Sequence, residues 1–332
     1  MKTLRIGMVG MGFIADWHHR GFSGLPDVEF AGLCQDFHGG PEAIAPKRAA
    51  LEKKARELGT RAYGSFDEMV ADPGLDALII GSINPYHFDQ IRRGLEAGKH
   101  LLVEKPVVTD VAQVGEIARI ARAAGRVVFP AHNFVYRGAV QQARALIADG
   151  RLGKRVASSF VVTHTISPEH AAGWRSKRAL GTGGTLIDSG HHLVYQSLYL
   201  LGRPVALSAF TSKQVLTSME CEDTAQVSLQ YRDGSVATIL QSWASGHGDG
   251  INGIRIFGDK GSLVITDALT FNGERLSTDV DYGASFRNQA RAFVDAIAGR
   301  AQPLSTLDDV RDTLRITFAA YESAERRAVI AL

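Results

Sequence analysis

Gly10-Met11-Gly12-Phe13-Ile14-Ala15 follows the apolar run 6–9 and fits the pattern GxGxxG/A. In such a turn the first glycine permits a tight reversal and the second lets backbone approach a pyrophosphate. The small third residue lets the next helix pack on a sheet, with the helix N-terminus facing the phosphate charge. Phe13 and Ile14 are counted with the two glycines as cofactor-binding positions. Asp36 lies 21 positions beyond Ala15, at the end of a second strand-like run. A carboxylate there accepts hydrogen bonds from ribose hydroxyls and repels a 2′-phosphate. Phe37 offers adenine an apolar face and no arginine adjoins Asp36, so NAD is favoured over NADP. In another register Gln35 takes that position and softens the preference. A plain strand–helix turn with a surface aspartate is the structural alternative.

A second group stands at Glu104-Lys105-Pro106, after the run His100–Val103. Ligands of open α/β sheets bind beyond the carboxyl ends of strands, which aims Lys105 at the cofactor crevice. Pro106 restricts Lys105 to extended backbone. An ammonium beside a bound cation has a lowered pKa and donates to a substrate hydroxyl. A snorkelling surface lysine is the alternative. Ser82 and Asn84 follow the run Ala77–Ile80 at the same crevice, where small polar groups touch a cofactor. His87 opens the next helix and bonds either backbone or ribose.

The third group is helical. Asp188, His192, Tyr195 and Tyr199 are spaced by four, three and four, and so share one stripe of a helix. Removing a hydroxyl proton while hydride leaves the same carbon requires a base of near-neutral pKa. Histidine suits this, and a carboxylate one turn away fixes its tautomer. Three alternatives compete. Thr185-x-x-Asp188 reads as a capping box, His192 reads as a core histidine, and His191 is a second base about 100° away.

These groups need positioning elements. Short apolar runs at Leu4–Val9, Val28–Cys34, Ala77–Ile80, His100–Val103 and 126–129 alternate with helical patterns, clearest at Val111–Ala124. Such alternation implies right-handed crossovers and a mostly parallel sheet covered on both faces. The segment 39–50 reads as a local insertion before a helix. After a helix at Gly138–Ala148, strand-like runs crowd together at 156–165, 205–215, 225–231, 235–243, 251–257 and 262–266. Helices are expected at 186–201, 286–298 and 307–324. The expected architecture is an α/β dinucleotide-binding domain over 1–130, then an α+β domain over 131–332 with a mixed, largely antiparallel, open-faced sheet. Residues 235–240 and 262–265 do not alternate cleanly enough for a wet face, so self-association is expected.

Composition narrows the class. At 332 residues the chain is long enough for two domains of roughly 150 residues each. Thirty-seven Lys+Arg against 35 Asp+Glu gives +2, with no basic block to suggest a nucleic-acid partner. No run approaches the roughly 18 apolar residues of a membrane span. Cys34 and Cys221 are too few for a disulfide framework, and no CxxC or histidine pairing calls for a metal. The expected setting is soluble, reducing and cytoplasmic.

Taken together, the turn Gly10–Ala15, His87, Ala97-Gly98-Lys99-His100, Glu104-Lys105-Pro106 and Gly183-Gly184-Thr185-Leu186-Ile187-Asp188-Ser189-Gly190-His191-His192 resemble the Gfo/Idh/MocA family of oxidoreductases. The resemblance covers almost the whole chain. It implies a Rossmann domain, a cis peptide before Pro106, and Lys105, Asp188 and His192 around the reacting carbon of a sugar or cyclitol. It also implies dimers or tetramers built through the second sheet, and substrate contacts from Asn133, Trp174 and Arg175. The expected activity is NAD-dependent oxidation of a ring hydroxyl, with His192 as base, Lys105 positioning the oxygen and Asp188 orienting His192. The alternatives are an NAD(P)H-dependent ketosugar reductase and a non-catalytic dinucleotide sensor. The chain departs from the family at Ile83-Asn84-Pro85, in having Phe134-Val135-Tyr136 before Arg137, and at Tyr195, where an acidic residue is usual.

Overall fold

The computed structural model describes residues 3–35, 41–246 and 250–332. Asp36 and Phe37, on which the cofactor preference rests, lie outside the described residues. The chain forms two compact units: Met1–Asn133 with Phe286–Leu307, and Phe134–Ser285 with Asp308–Leu332. A contiguous division at 130 therefore misses a segment that returns to the first unit. Aromatic side chains draw it back. Phe286 stacks on Trp17 at 5.9 Å between centroids, and Phe293 meets Phe22 and Phe129 edge-on. Helical periodicity marks such a stripe but does not name what it packs against.

In the first unit, β1 (Leu4–Val9), α1 (Phe13–Phe22), β2 (Val28–Cys34), α2 (Pro41–Glu57), β3 (Arg61–Tyr63), α3 (Phe66–Ala71), β4 (Ala77–Ile80), α4 (Asn84–Glu96), β5 (His100–Val103), α5 (Val111–Ala124) and β6 (Val128–Pro130) follow one another. The sheet order is β3-β2-β1-β4-β5-β6, and every pairing is parallel. Helices cover both faces of such a sheet, so its central strands carry no polar side: Ile6, Met8, Val9, Leu78, Ile79, Ile80, Leu101, Leu102 and Val103 are all fully buried. Burying each such side chain contributes about 1.5–3 kcal/mol. Of the expected insertion at 39–50, residues 39 and 40 lie outside the described residues and the rest forms the start of α2, which carries Pro46 inside it. The strand order reverses between β1 and β4, the switch point at which open sheets of this kind bind ligands.

The second unit contains α6 (Gly138–Ala148), β7 (Arg155–Thr163), the short α7 (Pro168–Ala172) and α8 (Arg178–Gly181), α9 (Thr185–Asp188), α10 (Gly190–Leu201), β8 (Ala206–Ser212), β9 (Thr224–Gln230), β10 (Val236–Ser242), β11 (Gly253–Gly258), β12 (Ser262–Ile265), β13 (Leu269–Phe271) and β14 (Glu274–Ser277). Two further helices follow: α11 (Tyr282–Ile297), which belongs to the first unit from Phe286 on, and α12 (Leu307–Arg326), which precedes β15 (Ile330–Ala331). Among the described residues these strands form a nine-stranded sheet, β14-β13-β12-β11-β7-β10-β9-β8-β15, antiparallel except for β10 against β7. Phe160, Val227, Ile239, Ile254 and Leu263 on one face pack with Val140, Leu193, Val194, Ile316 and Ala320 of the helices.

Burial alternates along β12 and most of β10, more regularly than the residue types suggest. The other face is mixed: Phe210, Val236 and Phe257, placed on it by register, are exposed beside Gln226, Ser228 and Gln230. Among the described residues no helix is long and apolar enough to cross a membrane.

Candidate active site

The first unit presents an open helix N-terminus. Gly10 has φ +103°, and a Cβ there would lie 2.2 Å from the Gly81 carbonyl oxygen, so the reversal from β1 leaves no room for a side chain. Gly12 is the N-cap of α1 and supplies no side-chain cap; a Cβ on it would meet nothing within 4 Å. The glycine is not demanded by internal packing. What it leaves is space in front of uncapped N–H groups, the cradle a pyrophosphate fills. The residues present therefore fit a dinucleotide. Gln35 is engaged here too, its Oε1 accepting the Met11 N–H at 3.0 Å. Phe13 is largely exposed at the head of α1.

Lys105 follows β5 at the same carboxyl edge of the sheet, and its peptide bond to Pro106 is cis. Glu104, also expected among the cofactor-binding positions, is buried and bonds within the protein. Its Oε1 lies 2.8 Å from His18 Nε2, and its Oε2 accepts the Lys105 N–H at 3.1 Å. Burial raises the Glu104 pKa, but the hydrogen bond and charge of His18, then the charge and N–H of Lys105, outweigh it and hold the carboxyl below its ordinary range. The His18 ring stands edge-on to Phe286, so α1 is tied directly to the turn that bears Lys105. His132 holds Ser305 Oγ through Nδ1 at 2.7 Å. Burial, with the charge of Lys105, pushes its pKa down to about 3, which keeps the ring neutral.

His87 bonds backbone. Its Nδ1 lies 3.0 Å from the Pro106 carbonyl oxygen and its Nε2 3.0 Å from that of Ser82, which clamps the loop after β4 to the loop after β5. Of its two expected partners, ribose and backbone, the ring takes backbone. Ser82 Oγ donates to Gln90 Oε1 at 2.6 Å. Asn84 is the first residue of α4, with Ile83 as N-cap and Pro85 in the first turn, where a missing N–H costs nothing. Asn133 is buried at the end of this unit.

In the second unit the expected helix 186–201 is divided at Ser189, between α9 and α10. Ser189 keeps right-handed helical backbone, and its Oγ accepts the Trp243 Nε1–H at 2.8 Å. The capping box at Thr185 does not form. Instead Glu222 reaches in from the loop before β9: its carboxylate accepts N–H groups from Gly184 and Leu186, each at 3.0 Å, and the Tyr321 hydroxyl at 2.9 Å. A Cβ on Gly184 would lie 1.9 Å from the Glu222 carbonyl oxygen, so this glycine is required by close approach. Burial outweighs these neutral donors and raises the Glu222 pKa.

Asp188 closes α9, one turn before His192 in α10. Its carboxylate is ion-paired with the Arg175 guanidinium, which also lies 4.2 Å from the centroid of the Trp174 ring. His192, half-buried, has its Nδ1 2.8 Å from the Tyr195 hydroxyl, and Phe134 stacks on the imidazole at 4.5 Å. Tyr195 also accepts the Phe134 N–H at 3.1 Å, and the Arg137 guanidinium lies 3.9 Å from the Phe134 ring centroid. His191 is fully buried. Sequence reasoning missed His18, Glu222 and Tyr321, and named Phe134 and Arg137 only as a departure from the family's pattern. Tyr195 carried a signal, as a departure from the usual acidic residue.

Comparison with known proteins agrees with this geometry. Residues 4–132 match the family model described as "Oxidoreductase family, NAD-binding Rossmann fold", and residues 140–264 match the GFO/IDH/MocA C-terminal domain. The chain belongs to the Gfo/Idh/MocA family. It is 27% identical to the 1,5-anhydro-D-fructose reductase of Ensifer adhaerens over 81% of this chain and 85% of that protein. It is also 27% identical to the D-xylose 1-dehydrogenase (NADP(+)) 2 of Haloferax volcanii, over 87% of this chain and 91% of that protein. Among solved structures, levoglucosan dehydrogenase in complex with NADH and levoglucosan superposes with a TM-score of 0.85 at 20% identity, covering 99% of each chain.

Proposed function

We propose that the protein is an NAD-dependent dehydrogenase that oxidises a ring hydroxyl of a sugar or cyclitol. The observation that carries this reading is Lys105, held by the buried Glu104–His18 pair at the same sheet edge as the open N-terminus at Gly12. A bound nicotinamide dinucleotide supplies the hydride acceptor. Its pyrophosphate would lie against the N–H groups beyond Gly12. Lys105 would donate to the reacting oxygen and stabilise negative charge as the hydroxyl proton departs. His192 would exchange that proton, with its ring plane fixed by Phe134 and Tyr195. Arg175, braced by Asp188 and Trp174, and Asn133 would contact substrate hydroxyls. The reading requires Lys105 and His192 to reach one substrate oxygen. Asp36 supports NAD over NADP, although relatives include an NADP(+) enzyme. The exposed Phe210, Val236 and Phe257 support self-association as a dimer or tetramer.

A spectrophotometric screen of sugars, polyols and ketosugars with both dinucleotides tests the proposal. With the true substrate, Lys105→Ala and His192→Ala should each lower kcat by about 10²–10⁴-fold. Near wild-type kcat in either variant overturns the assigned role, and tighter binding of NADP than NAD overturns the cofactor preference.

A further inference from the structure

Arg137 is the N-cap of α6, and its side chain packs on the ring that also supports His192. The guanidinium carbon lies 3.9 Å from the Phe134 centroid, and Phe134 stacks on the imidazole at 4.5 Å. One aromatic ring therefore joins this cation to the candidate base. Arg137 Nε is buried and has no hydrogen-bond partner among the described residues. The nearby acids hold backbone: Asp279 Oδ2 accepts the Gly138 N–H at 3.0 Å, and Asp281 Oδ1 accepts the Ala284 N–H at 2.6 Å. Burial lowers the Arg137 pKa, and the charges of Tyr195, Tyr282, Asp281 and Asp279 oppose that shift without cancelling it. A charge taken out of water is costly unless something pairs with it. Phe134 positions the guanidinium but offers its N–H groups no oxygen. The place of Arg137 in the sequence is also one of the chain's departures from the family pattern, which ties it to what is particular to this protein's substrate.

We infer that Arg137 receives a carboxylate of the substrate, so that the sugar oxidised beside His192 is a sugar acid of the uronic type rather than a neutral sugar or cyclitol. This rests on the proposed dehydrogenase reading and deepens it. With Nε enclosed, a ligand would meet the edge that bears the two terminal nitrogens, whose parallel N–H groups match the two oxygens of a carboxylate. A phosphate carries a larger charge, which Asp279 and Asp281 would oppose more strongly. A pyranose ring with one exocyclic group spans the distance from the imidazole past Phe134 to the guanidinium. The reacting hydroxyl and the carboxylate would then be held at opposite ends of one sugar. Pairing at Arg137 would select which hydroxyl reaches His192, and binding energy gained there would orient the reacting carbon.

The test compares hexoses of gluco, galacto and manno configuration with the matching uronic acids and hexose 6-phosphates, with NAD as acceptor. For the configuration turned over, wild-type kcat/KM for the uronate should exceed that for the neutral hexose by about 10²-fold, the worth of a charge-assisted hydrogen bond. Arg137→Gln should bring the two values together, mainly by raising KM for the uronate. Arg137→Lys keeps the charge but loses the fork, and should fall between wild type and Arg137→Gln. Calorimetric titration of the uronates into the enzyme loaded with NADH reads the same site without turnover. Loss of uronate binding in Arg137→Gln, in a protein that still binds the dinucleotide, upholds the inference. Wild-type preference for the neutral hexose or the 6-phosphate, uronate binding that survives Arg137→Gln, or no binding of any uronate overturns it and leaves the dehydrogenase reading standing. Arg137-dependent uronate binding by a protein that oxidises no sugar upholds the carboxylate site and overturns the activity.

Discussion

Glu104, buried, and Glu222, half-buried, are carboxylates of different units, each holding a turn that bears a candidate catalytic side chain, and they are accommodated in opposite ways. Glu104 faces an imidazole and the backbone of Lys105, and its pKa is lowered; Glu222 faces two amides and a phenol, and its pKa is raised. Burial disfavours the ionised form of both. The difference lies in the partners, since a cationic neighbour outweighs desolvation where three neutral donors do not. One turn is held by a carboxylate that faces His18 and Lys105, the other by a carboxylate that faces neutral donors.

Glu104→Gln should break this comparison hardest. It replaces the carboxylate between His18 and the Lys105 N–H with a neutral amide, at a cost of about 3 kcal/mol in urea unfolding, with loss of activity because Lys105 loses its anchor. Glu222→Gln should cost less, about 1–3 kcal/mol, because it leaves one N–H poorly matched and removes a charge that burial opposes.

The two costs should also run in opposite directions with pH. The Glu104 pKa is below its ordinary 4.5, so its contribution is fully present above that value and fades as pH falls through the lowered folded-state pKa. The Glu222 pKa is raised, so its contribution is present below 4.5 and fades as pH rises through the raised one. Denaturation of the three proteins across this range should give slopes of opposite sign, and slopes of the same sign would refute the contrast.

The smallest effect on stability should come from Gly12→Ala. Its Cβ would enter open space, so the unfolding free energy should move by less than about 0.5 kcal/mol, while dinucleotide affinity by titration calorimetry falls sharply. A destabilised variant with unchanged affinity would show that Gly12 serves packing instead.

Much of the nucleotide half was legible in the sequence. The expected bounds of β1, β2, β4, β5 and α5 coincide with the observed ones, because strands buried on both faces read as unbroken apolar runs and α5 has a clear helical stripe. β3, with three residues, and β13 to β15 are too short to show a period. The break at Ser189 depends on Trp243, 54 positions away. The site residues divide in the same way. Gly10, Gly12, Lys105 and His192 belong to local patterns, whereas His18 and Glu104 are 86 positions apart and Glu222 and Tyr321 are 99 apart. Periodicity shows which side of an element is buried; it does not show which distant side chain meets it. The ion pair of Asp188 with Arg175 and the contact of His192 with Tyr195 were likewise not legible in the spacing.

The return of Phe286–Leu307 to the first unit bears on how the molecule is made. On the ribosome, the nascent nucleotide half emerges first yet lacks the rings of Phe286 and Phe293 and the hydroxyl that Ser305 lends to His132. Domains that are continuous in sequence can fold one after another as they appear. Here the earlier half waits until nearly all of the later one has been synthesised, and the turn before His192 waits longer still, for Tyr321.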